Sequence, residues 1–106
     1  MISYQDFEKI ELRVGKIISA EKIENSEKLI KLKVDFKDET RQIVAGIGKS
    51  YQPEELVNKL VVVVYNLEPK EIFGYQSQGM LLAASDGSNV VLISPEKEIS
   101  LGTKVK

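Results

Sequence analysis

The run Leu60-Val61-Val62-Val63-Val64-Tyr65 constrains this chain more than any other stretch. Six apolar and largely β-branched residues in a row, too few for a buried helix, read as a strand covered on both faces. A chain of 106 residues must therefore supply two apolar layers, one for each side of that strand. One domain of this size, 42% hydrophobic and without cysteine, has room for a modest core that needs no disulfides.

The other segments supply strands to surround it. Ser3-Tyr4-Gln5-Asp6 resembles a capping box that opens a short helix running to about Ile10. Leu12 to Ala20 reads as a strand with Gly15 as a bend or bulge. Ile30, Leu32, Val34 and Phe36 alternate with Lys31, Lys33 and Asp35, giving a half-buried strand with a charged outer face. Lys37 to Thr40 fits a hairpin turn, and Arg41 to Ile47 returns as its partner. Pro53-Glu54-Glu55-Leu56-Val57 makes a brief helix before the apolar run. After an Asn66–Gly79 connection, Met80 to Ala84 reads as a buried strand and Asn89 to Ser94 as a long one, with a short edge strand in the tail.

The order β-β-β-α-β-β, with short helices, is that of an all-β, five-stranded OB-fold barrel carrying a C-terminal β extension. An SH3-like barrel or an open sheet with flanking helices fits the same pattern. The expected organisation is a single domain, 1–106, with a core at about 8–84 and the extension at about 85–106.

Composition excludes much chemistry. With no cysteine and no histidine there is no Cys/His zinc site, no Ser-His-Asp triad and no histidine proton shuttle. Scattered surface carboxylates and lysines form no catalytic spacing, so neither a catalytic centre nor a cofactor or metal is expected. No apolar run reaches membrane-spanning length and the start lacks a secretory leader, which points to a soluble cytoplasmic protein without a membrane partner. The net charge of −1 hides a gradient: Lys9 to Lys49 carries ten Lys/Arg against seven Asp/Glu.

Several stretches are similar to one family in order and spacing. These are Asp6 to Ile17, Arg41-Gln42-Ile43-Val44-Ala45-Gly46-Ile47, Pro53-Glu54-Glu55-Leu56, Asn66-Leu67-Glu68-Pro69-Lys70 and Ser77-Gln78-Gly79-Met80-Leu81-Leu82-Ala83-Ala84. They resemble the tRNA-binding domain appended to many methionyl-tRNA synthetases. The resemblance covers nearly the whole chain and implies an OB fold, structure-dependent tRNA binding and a homodimer. It implies a non-catalytic role, as the synthetase's β subunit or a stand-alone module acting beside its catalytic subunit. A secretion-type chaperone that captures apolar peptides shares this barrel and motif set and is the alternative.

The candidate RNA-binding residues follow. Lys31, Lys33 and Arg41 are expected as three cations on one sheet face, each holding a phosphate; a plain solvated face paired with Asp35, Asp38 and Glu39 explains them as well. Arg13 and Lys16 join them if the first strand lies beside the second. Ser77, Gln78 and Met80 take their role from the resemblance: two short polar groups for base edges and a soft apolar contact, against a loop that merely opens the fifth strand. Asn66 and Lys70 are candidates for a hydrogen bond and a phosphate contact, with turn capping as the competing role of Asn66. Phe73 and Tyr75 offer stacking surfaces or packing anchors. Glu68 and Glu71 depart from the family's more basic pattern, and the histidine-proline often found before the second strand is missing.

Overall fold

A computed structural model describes all residues, Met1–Lys106. The core is built from β1 (Leu12–Lys22), β2 (Ile30–Asp35), β3 (Thr40–Ala45), β4 (Leu60–Val64) and β7 (Met80–Leu81), in the antiparallel order β3-β2-β1-β4-β7. The two edges approach each other: the Gln78 amide donates to the Gln42 carbonyl at 2.8 Å, and the Val44 amide to Ser77 Oγ at 3.0 Å. The result is a nearly closed five-stranded barrel of the OB type, with helix α2 (Pro53–Leu56) placed before β4. No helix is long and apolar enough to cross a membrane.

The run that demanded two apolar layers has them. Val61 and Val63 point into the barrel with Ile17, Leu32, Val34 and Ile43. Val62 and Val64 face outward with Leu12, where Phe7 of α1 (Tyr4–Glu8), Leu82 and Val105 cover them. Ser3 caps α1, accepting from the Asp6 amide at 3.1 Å. The tail contributes the expected short strand, β10 (Lys104–Val105), which pairs with Leu12 and Arg13.

Four expectations need correction. Gly15 is no bulge. It sits in register opposite Val61, and the irregularity falls between Ile17 and Ser19. The Asn66–Gly79 connection contains a hairpin, β5 (Lys70–Ile72) and β6 (Tyr75–Ser77). Its two-residue turn has φ of 53° at Phe73 and 85° at Gly74, as a type I′ turn requires. A phenylalanine is an unusual occupant of that region, so no turn signal advertised it. The Met80–Ala84 strand is split: Met80 and Leu81 pair with β4, whereas β8 (Ala83–Ser85) forms a separate hairpin with β9 (Val90–Leu92). Finally, Met80, Ala83 and Ala84 are exposed, not buried, and the long Asn89–Ser94 strand shrinks to the three residues of β9.

Candidate nucleic-acid interface

Pairing fixes which side chains share a face. Lys31 and Lys33 alternate with the buried Ile30, Leu32 and Val34, so both stand on the outer face of β2. Lys33 lies opposite Ser19 and Gln42, Lys31 opposite Glu21 and Val44, and Lys16 opposite Asp35. Cross-strand partners project to the same side. Lys16, Lys31 and Lys33 therefore share the outer surface. Arg41 does not: it pairs with the core residue Val34, and Arg13 pairs with Val63. The expectation of Lys31, Lys33 and Arg41 on one face is thus corrected. The two arginines belong to one open end of the barrel.

At that end the Tyr65 ring is the hub. The Arg41 guanidinium lies 3.5 Å from its centroid and that of Arg13 4.6 Å, while Phe36 meets it edge-on at 5.0 Å. Arg41 also donates to the Tyr65 carbonyl (2.7 Å), the Gln78 carbonyl (3.4 Å) and Glu39 (3.2 Å). Arg13 donates to Glu11 at 2.8 Å and to the Gly102 carbonyl at 3.3 Å. The Tyr65 hydroxyl donates to Glu39. Those bonds from Tyr65 and Arg41 hold the Glu39 carboxyl below the usual range, whereas burial, then the bond to Glu39, raises Tyr65.

The signs set a pH window. Glu39 with a depressed pKa adds stability above its unfolded value, about 4.3, and loses it as pH falls through the lower folded value. Tyr65 with a raised pKa adds stability below about 10 and loses it as pH climbs through the folded value. Thermal melts of Glu39→Gln should show a shallower acid limb than the native chain, with the variant's deficit largest above pH 6 and closing as pH falls through the carboxylate range.

The outer face is arranged differently. Lys31 Nζ lies 2.6 Å from Glu21 and 4.6 Å from the Tyr75 ring, so one cation is held by a carboxylate and an aromatic of the β6 strand. The pair lowers the Glu21 pKa and raises that of Lys31. Lys33 is exposed and makes no ion pair. Beside it, Gln42 Nε2 donates to the Gln76 carbonyl at 3.0 Å, and the Gln42 amide donates to Gln78 Oε1 at 3.1 Å. Gln42, absent from the sequence candidates, is the residue that clips the β5–β6 hairpin onto β3. Its period-2 position opposite Lys33 was the available signal.

Ser77 turns inward, and Asn66, although exposed, is bonded to the chain itself. Ser77 is 4% exposed, and its hydroxyl accepts from the Val44 amide and donates to the Gly79 carbonyl at 3.1 Å. Asn66 accepts from the Glu11 amide at 2.9 Å and donates to the Lys9 carbonyl at 2.8 Å, tying α1 to the end of β4. Both amides and hydroxyls are committed within the protein. Removing Ser77 Oγ strands a buried amide, so Ser77→Ala should cost about 1–3 kcal/mol in denaturant unfolding. Gly79, at φ 134°, leaves space where a Cβ would lie 3.0 Å from the Val64 carbonyl. Lys70 and Met80 line a groove of about 470 Å³ between the hairpin and β3. Of the sequence candidates, Lys31, Lys33, Gln78, Lys70 and Met80 border one continuous surface around the β3 edge, with Arg41 over its rim.

A nearly closed five-stranded barrel in the order β3-β2-β1-β4-β7, with a short helix before β4, defines a member of the OB class. The chain belongs to the family described as "Putative tRNA binding domain", whose profile matches residues 12–104. Methionine–tRNA ligase of Pyrococcus horikoshii is 54% identical over 105 residues, covering 99% of this chain but 14% of the relative. The chain thus spans about one seventh of the length of such relatives. Among solved structures, a MetRS-related protein from Pyrococcus horikoshii superposes with TM-score 0.94 and 42% identity, covering 100% of this chain and 98% of that one. The chaperone CsaA of Bacillus anthracis superposes with TM-score 0.91 and 33% identity, covering 100% and 99%.

Proposed function

We propose that this chain is a non-catalytic module that binds tRNA through the outer β2–β3 face and the adjoining hairpin. The observation that carries the reading is the shared surface of Lys16, Lys31 and Lys33 beside the uncharged amides of Gln42 and Gln78, in a chain of this family. Cations hold phosphates without reading sequence, and the amide groups that the chain does not itself bond, Gln42 Oε1 and Gln78 Nε2, meet base edges and sugar hydroxyls, which suits recognition of tRNA shape. Ser77 and Asn66 serve by fixing the loops, and the arginine pair at the barrel end steadies the rim on which Gln78 sits.

The module acts beside a methionyl-tRNA synthetase catalytic subunit in the cytoplasm, delivering tRNA by raising its effective concentration. The partner is supported by the ligase relatives. A homodimer formed through Asn89 to Lys106 completes the reading; Val91, Ile93 and Ile99, exposed by 54%, 42% and 50%, support that surface.

Capture of apolar peptides is the second reading, favoured by the CsaA superposition and the apolar groove beside Met80. Filter binding of unfractionated tRNA across salt decides between them. Three phosphate contacts predict a loss of roughly twenty- to fortyfold between about 50 and 200 mM salt. Peptide binding that is unchanged or tightened by salt, with no retention of tRNA, would overturn the tRNA reading.

A further inference from the structure

Two depressions flank the Leu67-Glu68 ridge, and the larger has the attributes of a base-sized pocket. Its walls are the apolar side chains of Val44, Leu67, Ile72 and Met80, and its volume of about 470 Å³ falls within the range of small-molecule sites. Ser77 and Gly79 also line it, and the Ser77 hydroxyl is spent on the Val44 amide and the Gly79 carbonyl. Two charged groups remain at the lining, Glu68 and Lys70. Neither forms an ion pair, with each other or with any other residue.

On the basis of the tRNA reading above, we propose that this pocket takes one unpaired guanine of the RNA, with Glu68 as the residue that selects it. An ionised carboxylate only accepts hydrogen bonds. Guanine presents two adjacent donors, N1–H and N2–H, which match the two carboxylate oxygens. Adenine and cytosine set an acceptor nitrogen beside their amino group, and uracil flanks its single N–H with carbonyls, so each brings repulsion where guanine brings a second bond. The base faces meet aliphatic walls and the Met80 thioether, a polarisable contact for an aromatic ring. Lys70 on the same lining answers the phosphate charge. An apolar peptide side chain would fill the walls but engage neither Glu68 nor Lys70.

The test uses the full chain labelled at its methionine methyls. There are two methionines, and Met1 is fully exposed and serves as the internal reference. Titration with 5′-GMP should shift the Met80 methyl saturably, at about tenfold lower concentration than 5′-IMP, which lacks the N2 amino group. AMP and UMP should be weaker than GMP, and Glu68→Gln should reduce GMP to the IMP level while leaving the melting temperature unchanged. Equal response to all nucleotides, indifference to Glu68→Gln, or a Met80 shift seen only with a leucyl dipeptide would overturn the proposal. Retention of tRNA by the native chain is measured in the same buffer. If tRNA binds while GMP leaves Met80 unmoved, the guanine pocket alone fails; if tRNA is not retained, the parent reading fails.

Discussion

Gly15→Ala should lower stability by about 2–3 kcal/mol and the melting temperature by roughly 10–15 °C, although it adds one methyl group. The new Cβ would lie 2.5 Å from Val34 Cγ1 and 2.8 Å from Phe36 Cε1. Neither neighbour has room to retreat, since Val34 is fully buried and Phe36 is 2% exposed with its ring against Tyr65. The backbone is equally pinned: Gly15 pairs with Val61 on one side, and the adjacent Lys16 pairs with Asp35 on the other. Relief therefore comes by pushing β1 and β2 apart or by turning Phe36, and the latter disturbs the ring under the Arg41 guanidinium. Gly46→Ala is the control. Its nearest neighbour would be a Lys28 methylene at 3.8 Å, so the loss of unfolded-state freedom makes it neutral to slightly stabilising. Equal effects of the two substitutions in a urea titration would show that β1 and β2 are not in the close contact described.

The contrast between these glycines shows what the sequence could and could not disclose. The β-branched run and the alternation from Ile30 to Phe36 are strong periodic signals, and both became strands with the expected burial. Gly15 was visible as an irregularity, but its cause lies in Val34 and Phe36, some twenty residues away. A close approach between strands leaves no local mark. The same holds for Arg41. Periodicity along one strand places Lys31 and Lys33 together, because they stand two positions apart with only Leu32 between them. Placing Arg41 requires the register across the hairpin, and there Lys33 meets Gln42 and Val34 meets Arg41. One position decides the face. The Ser77–Met80 segment was legible as a special place, but not as a division of labour. Ser77 is turned inward to join β3, Gln78 links to Gln42, and Met80 is half exposed over a groove. Asn66 likewise read equally well as a ligand contact or a cap. Its two bonds to Lys9 and Glu11 span more than fifty residues of chain.

Lys31→Ala with Lys33→Ala should weaken tRNA binding about tenfold near 100 mM salt, equivalent to about 1.4 kcal/mol. It should also bring the salt slope down from between −2 and −3 to about −1, the value left by Lys16 alone. The two lysines do not contribute equally. Lys33 is unpaired, whereas Lys31 must share its charge between a phosphate and Glu21 at 2.6 Å. That asymmetry yields a second arm. Glu21→Gln releases Lys31 to the ligand and should raise affinity a few-fold while steepening the slope. The same change made in a Lys31→Ala background should do much less, because the carboxylate's main partner is then gone. Neither lysine fills the core, and Lys31 loses a partly exposed ion pair together with its contact over Tyr75, both small surface contributions. The melting temperature of the double variant should accordingly stay within a few degrees of the native chain. A flat binding response with an intact melt would remove the β2 face from the interface. The cations would then have to be sought at the barrel end, where Arg13 and Arg41 are already engaged by Glu11 and Glu39.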